Sequence, residues 1–215
     1  GITKRANSVL PLLYIGSDLL EDIKKVEKIY RKRNLSPIFQ VPDYFEPQNL
    51  EKTLFSLGYK SVDETIVMTA GIEDICTTVN DSYRYSLENE GKQRWFQALA
   101  DISGYNISHI EGIRAIIERI PFEKGFLYVR NGNEIVGIGR GVIEQNFLGI
   151  YSLIVYPLYR RKGIGLSMVD KIVEWGKMHS VTEVYLQVES SNSGAISLYR
   201  KAGFTERCRY RYFVI

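Results

Sequence analysis

The second half of the chain alternates between two hydrophobic periods. Leu166, Val169, Ile172, Val173 and Gly176 recur at helical spacing with Asp170, Lys171, Glu174 and Lys177 between them, which predicts an amphipathic helix packing one face on a sheet. Val184 to Val188 is a short apolar run broken by one Gln, the pattern of a strand buried on both faces. Ala195 to Ala202 reads as a short helix closed by Gly203 at its C-cap. In Arg207 to Phe213, Cys208, Tyr210 and Tyr212 alternate with Arg207, Arg209 and Arg211, predicting a strand with one aromatic and one basic face.

Upstream, Gly125 to Arg130 and Glu134 to Ile143 flank Asn131-Gly132, a hairpin signal. Gln93 to Ile102 and Ile107 to Arg119 read as helices, the second with Ile110, Ile113, Ile117 and Ile120 on its apolar side. Thr77 to Leu87 reads as a strand with Asn80-Asp81 as a bulge or turn.

The segment with most chemical content is Ile154-Val155-Tyr156-Pro157-Leu158-Tyr159-Arg160-Arg161-Lys162-Gly163-Ile164-Gly165. It predicts a strand exit, a basic turn and the first turn of a helix. Glycine lets backbone N–H groups approach a ligand closely, and a helix start offers unsatisfied donors with a partial positive charge. Such a turn suits an anion like a diphosphate. A helix dipole contributes roughly 0.3 to 1 kcal/mol to an anion and each charged hydrogen bond about 1.5 to 3, so several amides must converge. The amides of Arg160 to Leu166 are the candidates. The spacing excludes the triphosphate-binding loop and the Gly-x-Gly-x-x-Gly dinucleotide fingerprint.

Composition narrows the classes further. The chain has 215 residues, 45% hydrophobic and 25% charged, enough for a full core in one large or two small domains. Its formal charge of +3 is too small to argue for nucleic acid. There is no apolar run long enough to span a membrane and no visible secretory signal. Cys76 and Cys208 lack metal-ligand spacing, which fits a reducing cytoplasm and predicts no metal site and no disulfide framework. His109 and His179 stand alone in sequence and are not read as ligands.

Arg160-x-x-Gly163-x-Gly165, preceded by Leu153 to Pro157 and followed by Val188-x-x-x-Asn192-x-x-Ala195-x-x-Leu198-Tyr199-x-x-x-Gly203-Phe204, resembles the GNAT superfamily of acyl-CoA-dependent N-acetyltransferases. The resemblance covers residues 71 to 215 well. It implies an α/β fold with a mixed, mostly antiparallel sheet flanked by helices. It further implies acetyl-CoA as co-substrate, with Ile154 and Val155 pairing with pantetheine and the amides of Arg161, Lys162, Gly163, Ile164, Gly165 and Leu166 on the diphosphate. Arg160 stands where the family has Gln or Arg, Asn192 would contact the pantetheine arm, and Tyr199 would direct its hydroxyl at the thioester sulfur. A strand N–H near Val155 could polarise the thioester carbonyl. The competing reading of Tyr199 is a packed aromatic. In the family, helices like those at Gln93 and Ile107 shape the acceptor pocket, which makes Trp95, Phe96 and Tyr105 candidates for its wall or for core packing. Many members carry a carboxylate on the strand before the turn, but Gly149 to Ser152 has none. Glu144 is the nearest candidate base, with water-relayed deprotonation or capture of a neutral amine as alternatives.

The first third echoes this layout. Ser8 to Leu12, the helix carrying Leu19, Ile23, Val26 and Tyr30, Ile38 to Val41, then Leu54 to Tyr59 and Val62 to Met68 repeat the order of elements. Aligning Gly58 with Gly203 puts Leu54 at the position of Tyr199, and Leu13 to Asp18 holds an acid where a diphosphate would need cations. Residues 1–70 are thus expected to be a degenerate, incomplete copy and residues 71–215 the complete one, with a boundary near Gly71 to Cys76. The chain begins at Gly1 without Met, so upstream residues are expected to be missing.

The expected activity is transfer of an acetyl group from acetyl-CoA to a primary amine, on a small molecule or a peptide. A non-catalytic CoA-binding sensor or scaffold is the alternative. A nucleic-acid binder built on Arg207, Arg209 and Arg211 is the weakest of the three, and the same arginine row could instead suit an acidic acceptor.

Overall fold

The structure, a computed structural model, describes residues 2–215. The described residues divide into two compact units: residues 2–66 with 189–191 and 208–215, and residues 67–188 with 192–207. In chain order the elements are α1 (Leu19–Arg31), β1 (Ile38–Pro42), α2 (Leu50–Ser56), β2 (Lys60–Gly71), β3 (Arg84–Glu88), α3 (Gln93–Ser103), α4 (Ile107–Glu118), β4 (Glu123–Asn131), β5 (Glu134–Glu144), β6 (Phe147–Val155), α5 (Ile164–Lys177), β7 (Glu183–Glu189), α6 (Ser193–Lys201) and β8 (Thr205–Val214). The strands form one mixed sheet in the order β1-β8-β2-β7-β6-β5-β4-β3.

In the first unit β1 pairs antiparallel with the end of β8, and Val9 makes a lone parallel bridge to Phe39. The expected strand over Ser8 to Leu12 is reduced to that bridge. Leu12 and Leu13 point into solvent, so no partner face rewards further pairing. Ile23, Phe39, Val41, Leu50, Leu54, Tyr59 and Phe213 make the core of this unit. Asp18 caps α1 by accepting from the Glu21 amide, so the acid noted in the sequence occupies that helix start itself. On the basic face of β8, Arg209 pairs with Glu64 and Arg211 with Glu51 at 2.9 and 2.7 Å, while Arg207 is exposed. A row with two of its three charges compensated offers little to a polyanion or to an acidic substrate.

In the second unit β3, β4, β5 and β6 pair antiparallel in turn, and β6 pairs parallel with β7. Glycine sets how closely α5 lies on this sheet. Side chains alternate along a strand, and on β5 the positions facing α5 are Gly137, Gly139 and Gly141; a Cβ on Gly141 would sit 2.7 Å from the Trp175 ring. The opposite face of β5 carries Ile138, which packs with Trp95, Phe96, Phe126 and Tyr128 beneath α3 and α4. Trp95 and Phe96 are therefore core residues, while Tyr105 is exposed and stacks on His109.

The strand expected over Thr77 to Leu87 is present only from Arg84. Residues before it instead strap the start of α5: the Thr77 hydroxyl donates to Asp170, and the Asn80 amide donates to the Ser167 hydroxyl. Those side-chain bonds compete with ladder pairing and win locally.

Gly203 ends α6 with φ +106°, and a Cβ there would meet the Asp74 carbonyl oxygen at 2.6 Å. Both the conformation and the contact demand glycine. Gly203→Ala is expected to cost about 2 kcal/mol or more, roughly 4 to 8 °C in melting temperature by calorimetry. An unchanged melting temperature would contradict this packing.

Candidate active site

The β6–β7 ladder ends at Ile150 and Leu186, while β6 continues to Val155 on β5 alone. The two parallel strands therefore part. The cause is a bulge: Ser152 and Leu153 together face Gly139, and Ser152 takes φ +51°, the signature of an extra residue in one strand. Backbone groups alternate in direction along an antiparallel strand. The Tyr156 amide donates to the Val136 carbonyl, so Ile154, two residues earlier, also faces β5. Val155 faces the gap, and its carbonyl accepts from Arg160 Nε at 3.1 Å. The free group at the strand end is the Val155 N–H, whereas the polar groups of Ile154 are taken by the sheet.

The turn that follows is built from left-handed residues. Arg161 and Gly163 have φ of +63° and +79°, and such residues near a helix start aim successive N–H groups into one concavity. Among the described residues, the amides of Arg161, Lys162, Gly163, Ile164 and Gly165 meet no acceptor in the chain. The Arg160 amide is bound to Pro157, and the amides of Leu166 and Ser167 both donate to the Gly163 carbonyl at 3.1 and 3.2 Å. Leu166 is thus the first amide used by α5. Arg160, Arg161 and Lys162 are exposed around the turn. Gly165 plays a different part from Gly163, since a Cβ on it would overlap Leu198 of α6 at 2.4 Å. It lets α6 approach the start of α5.

Asn192 caps α6 by accepting from the Ala195 amide at 3.1 Å, which leaves its side-chain NH₂ available. Tyr199 is buried, edge-on to Phe204. Among the described residues its hydroxyl has no hydrogen-bond partner, yet it is not sealed off as the Tyr128 hydroxyl is. Burial pushes its pKa up to about 12. Glu144 lies exposed at the β5–β6 turn, opposite Phe147, and Phe147 to Val155 at about 3.4 Å per residue spans roughly 27 Å. It is therefore remote from the strand end and cannot serve as the base.

A family model described as "Probable histone acetyltransferase Rv0428c C-terminal" matches residues 1–213. The chain belongs to that family. The "Uncharacterized N-acetyltransferase YobR" of Bacillus subtilis is 29% identical over 216 residues, covering 99% of this chain and 85% of its own. A GCN5-related N-acetyltransferase from Kribbella flavida superposes with a TM-score of 0.69 at 14% identity, over 91% of this chain and 74% of that one. A "Tandem GNAT protein from the clavulanic acid biosynthesis pathway" gives a TM-score of 0.70 at 9% identity, over 88% and 66%. The fold of this acetyltransferase is accordingly that of the GNAT enzymes.

Acetyl-CoA fits the residues of this acetyltransferase. Five unpartnered amides in a cationic turn match a diphosphate, and an unpaired strand end beside them matches an amide-bearing arm. Sequence reasoning missed Asn80, whose side-chain NH₂ donates to the Lys162 carbonyl at 2.8 Å while its backbone amide holds Ser167. This residue positions the turn. Asn80→Ala is expected to raise the KM for acetyl-CoA roughly five- to tenfold with kcat little changed, as loss of about one hydrogen bond implies. Steady-state kinetics at saturating acceptor measure it, and an unaltered KM would show that the turn holds its shape unaided.

Proposed function

We propose that this chain transfers the acetyl group of acetyl-CoA to a primary amine by direct attack. The observation that carries the reading is the run of unpartnered amides from Arg161 to Gly165 beside the unpaired end of β6. These amides and the surrounding cations hold the diphosphate, and the NH₂ of Asn192 steadies the pantetheine arm. The Val155 N–H donates to the thioester carbonyl as negative charge develops there. The amine nitrogen bonds to the acetyl carbon, the carbon–sulfur bond breaks, and the amine's surplus proton leaves through water. Tyr199 donates a hydrogen bond to the departing sulfur. With its pKa near 12, against about 8.5 for a thiol, full transfer of its proton is uphill by more than three powers of ten. Tyr199 therefore stabilises the thiolate chiefly as a donor, and solvent supplies the final proton.

Residues 1–70 are read as a copy that lost this chemistry. Its elements repeat the order of β6 to β8, with the Val9–Phe39 parallel bridge in the place of the β6–β7 ladder. Asp18 stands at its helix start and the buried Leu54 holds the place of Tyr199.

The test is release of free thiol from acetyl-CoA with a panel of primary amines. Amine-dependent release supports the reading. Tight CoA binding with no release for any amine would make the chain a binding module instead.

A further inference from the structure

Arg140 is the one arginine of β5, and it stands on the face that carries Ile138, away from α5. It is directly opposite Tyr151 in the β5–β6 register, one residue before the bulge at Ser152 and Leu153. Its exposure is 8%. Among the described residues its Nε and Nη1 are sealed from solvent without any hydrogen-bond partner, and no carboxylate pairs with it. Nη2 makes no bond either and keeps some contact with solvent. Among the described residues, the favourable contact it makes is with the Tyr151 ring, 5.1 Å from the cation, and the Tyr151 hydroxyl is already bonded to that of Tyr185 at 2.7 Å.

A buried guanidinium with unmet donors is costly, and a ring face returns only about 1 to 2 kcal/mol. Burial lowers its pKa to about 10, which leaves it a cation at neutral pH. The N–H groups of Nη2 can donate to a carboxylate oxygen, a charge-assisted bond that also meets part of the unmet donor capacity. Its place in the fold says whose carboxylate: the gap between β6 and β7 closes at Ile150 and Leu186, so an acyl arm held along the end of β6 would present its acetyl group near the bulge, one residue from Tyr151. Cross-strand neighbours at that point lie about 5 to 8 Å apart.

We infer that Arg140 binds the carboxylate of the acceptor, so that the preferred amine carries a carboxylate a few bonds from its nitrogen, as an amino acid does. The inference rests on the acetyl-transfer reading above and specifies its substrate class. In the basic row of β8, the other candidate for an acidic acceptor, Arg209 and Arg211 are already paired with Glu64 and Glu51.

The experiment compares matched amines, each as carboxylate and as carboxamide, on the wild-type chain and on Arg140→Gln and Arg140→Met. The wild type is expected to favour carboxylates about tenfold or more in kcat/KM, the scale of one charged hydrogen bond. Both variants should bring the ratio near one, keep the KM for acetyl-CoA, and melt no lower than wild type if relieving an unpaired buried charge is neutral or stabilising. A second readout needs no turnover: in the presence of CoA, a short dicarboxylate should raise the melting temperature of the wild type and not of Arg140→Met. Equal use of carboxylates and carboxamides by the wild type, with amine-dependent thiol release intact, would overturn the inference and leave acetyl transfer standing. Absence of thiol release with every amine would overturn the parent reading, and the dicarboxylate shift would then decide the Arg140 site alone: a shift confined to the wild type upholds it, and no difference removes it.

Discussion

Replacing Tyr199 by Phe is expected to lower kcat about a hundredfold and to leave the affinity for acetyl-CoA within about twofold, because one hydrogen bond to a developing thiolate is lost and no contact to the bound ground state. The substitution removes a single oxygen from a buried side chain whose ring packs on Phe204, so the fold is retained. Since burial holds the Tyr199 hydroxyl neutral until about pH 12, kcat should rise as the acceptor amine loses its proton and show no falling limb in the ordinary alkaline range. The same raised pKa gives a stability contribution that is present below the ordinary tyrosine value of about 10 and is lost as pH climbs through about 12. Stopped-assay kinetics across pH with both proteins check this. Full activity in Tyr199→Phe would reduce Tyr199 to a packed aromatic.

Gly163→Val is expected to weaken CoA binding by about a hundredfold, equivalent to losing roughly two charged hydrogen bonds. Gly163 adopts φ +79° at the head of α5, and a Cβ on it would meet nothing nearer than Asn80, 4.0 Å away. Space is therefore available, and the cost is conformational: a β-branched residue resists the left-handed region by about 1 to 2 kcal/mol or more. The turn relaxes by rotating the amides of Lys162 and Gly163 out of convergence. The affinity should fall far more than the melting temperature. Calorimetry with CoA and a thermal melt on the same sample separate these, and equal losses in both would mean general destabilisation rather than damage to the anion site.

The parts legible in the sequence are those fixed by local chemistry. Gly163 and Gly203 are needed for positive φ, the apolar stripe from Leu166 to Gly176 sets α5, and Asn131-Gly132 marks the β4–β5 turn, so the turn and its helix could be placed from residues alone. What could not be read depends on register between strands. The Ser152 bulge exists because two residues of β6 face one of β5, and nothing in Tyr151-Ser152-Leu153 announces it. The same bulge decides that Val155 and not Ile154 offers a free amide. Asn80 was visible only as a turn residue, because its partners lie more than 80 positions away at Lys162 and Ser167. Arg140 did leave a trace, a lone charge inside Gly137-Ile138-Gly139-Arg140-Gly141; a cation among glycines in a strand interior signals a special site before any partner is known.

The proposed function rests above all on the proposal that the Arg161 to Gly165 amides grip the phosphates of the acyl carrier. Titration calorimetry of the full chain with CoA, and with pantetheine lacking the diphosphate, tests it most directly. CoA is expected to bind at about 10 μM or tighter and pantetheine to bind more weakly by at least about a hundredfold. Equal affinity for the two, or no binding of CoA at millimolar concentration, would contradict it.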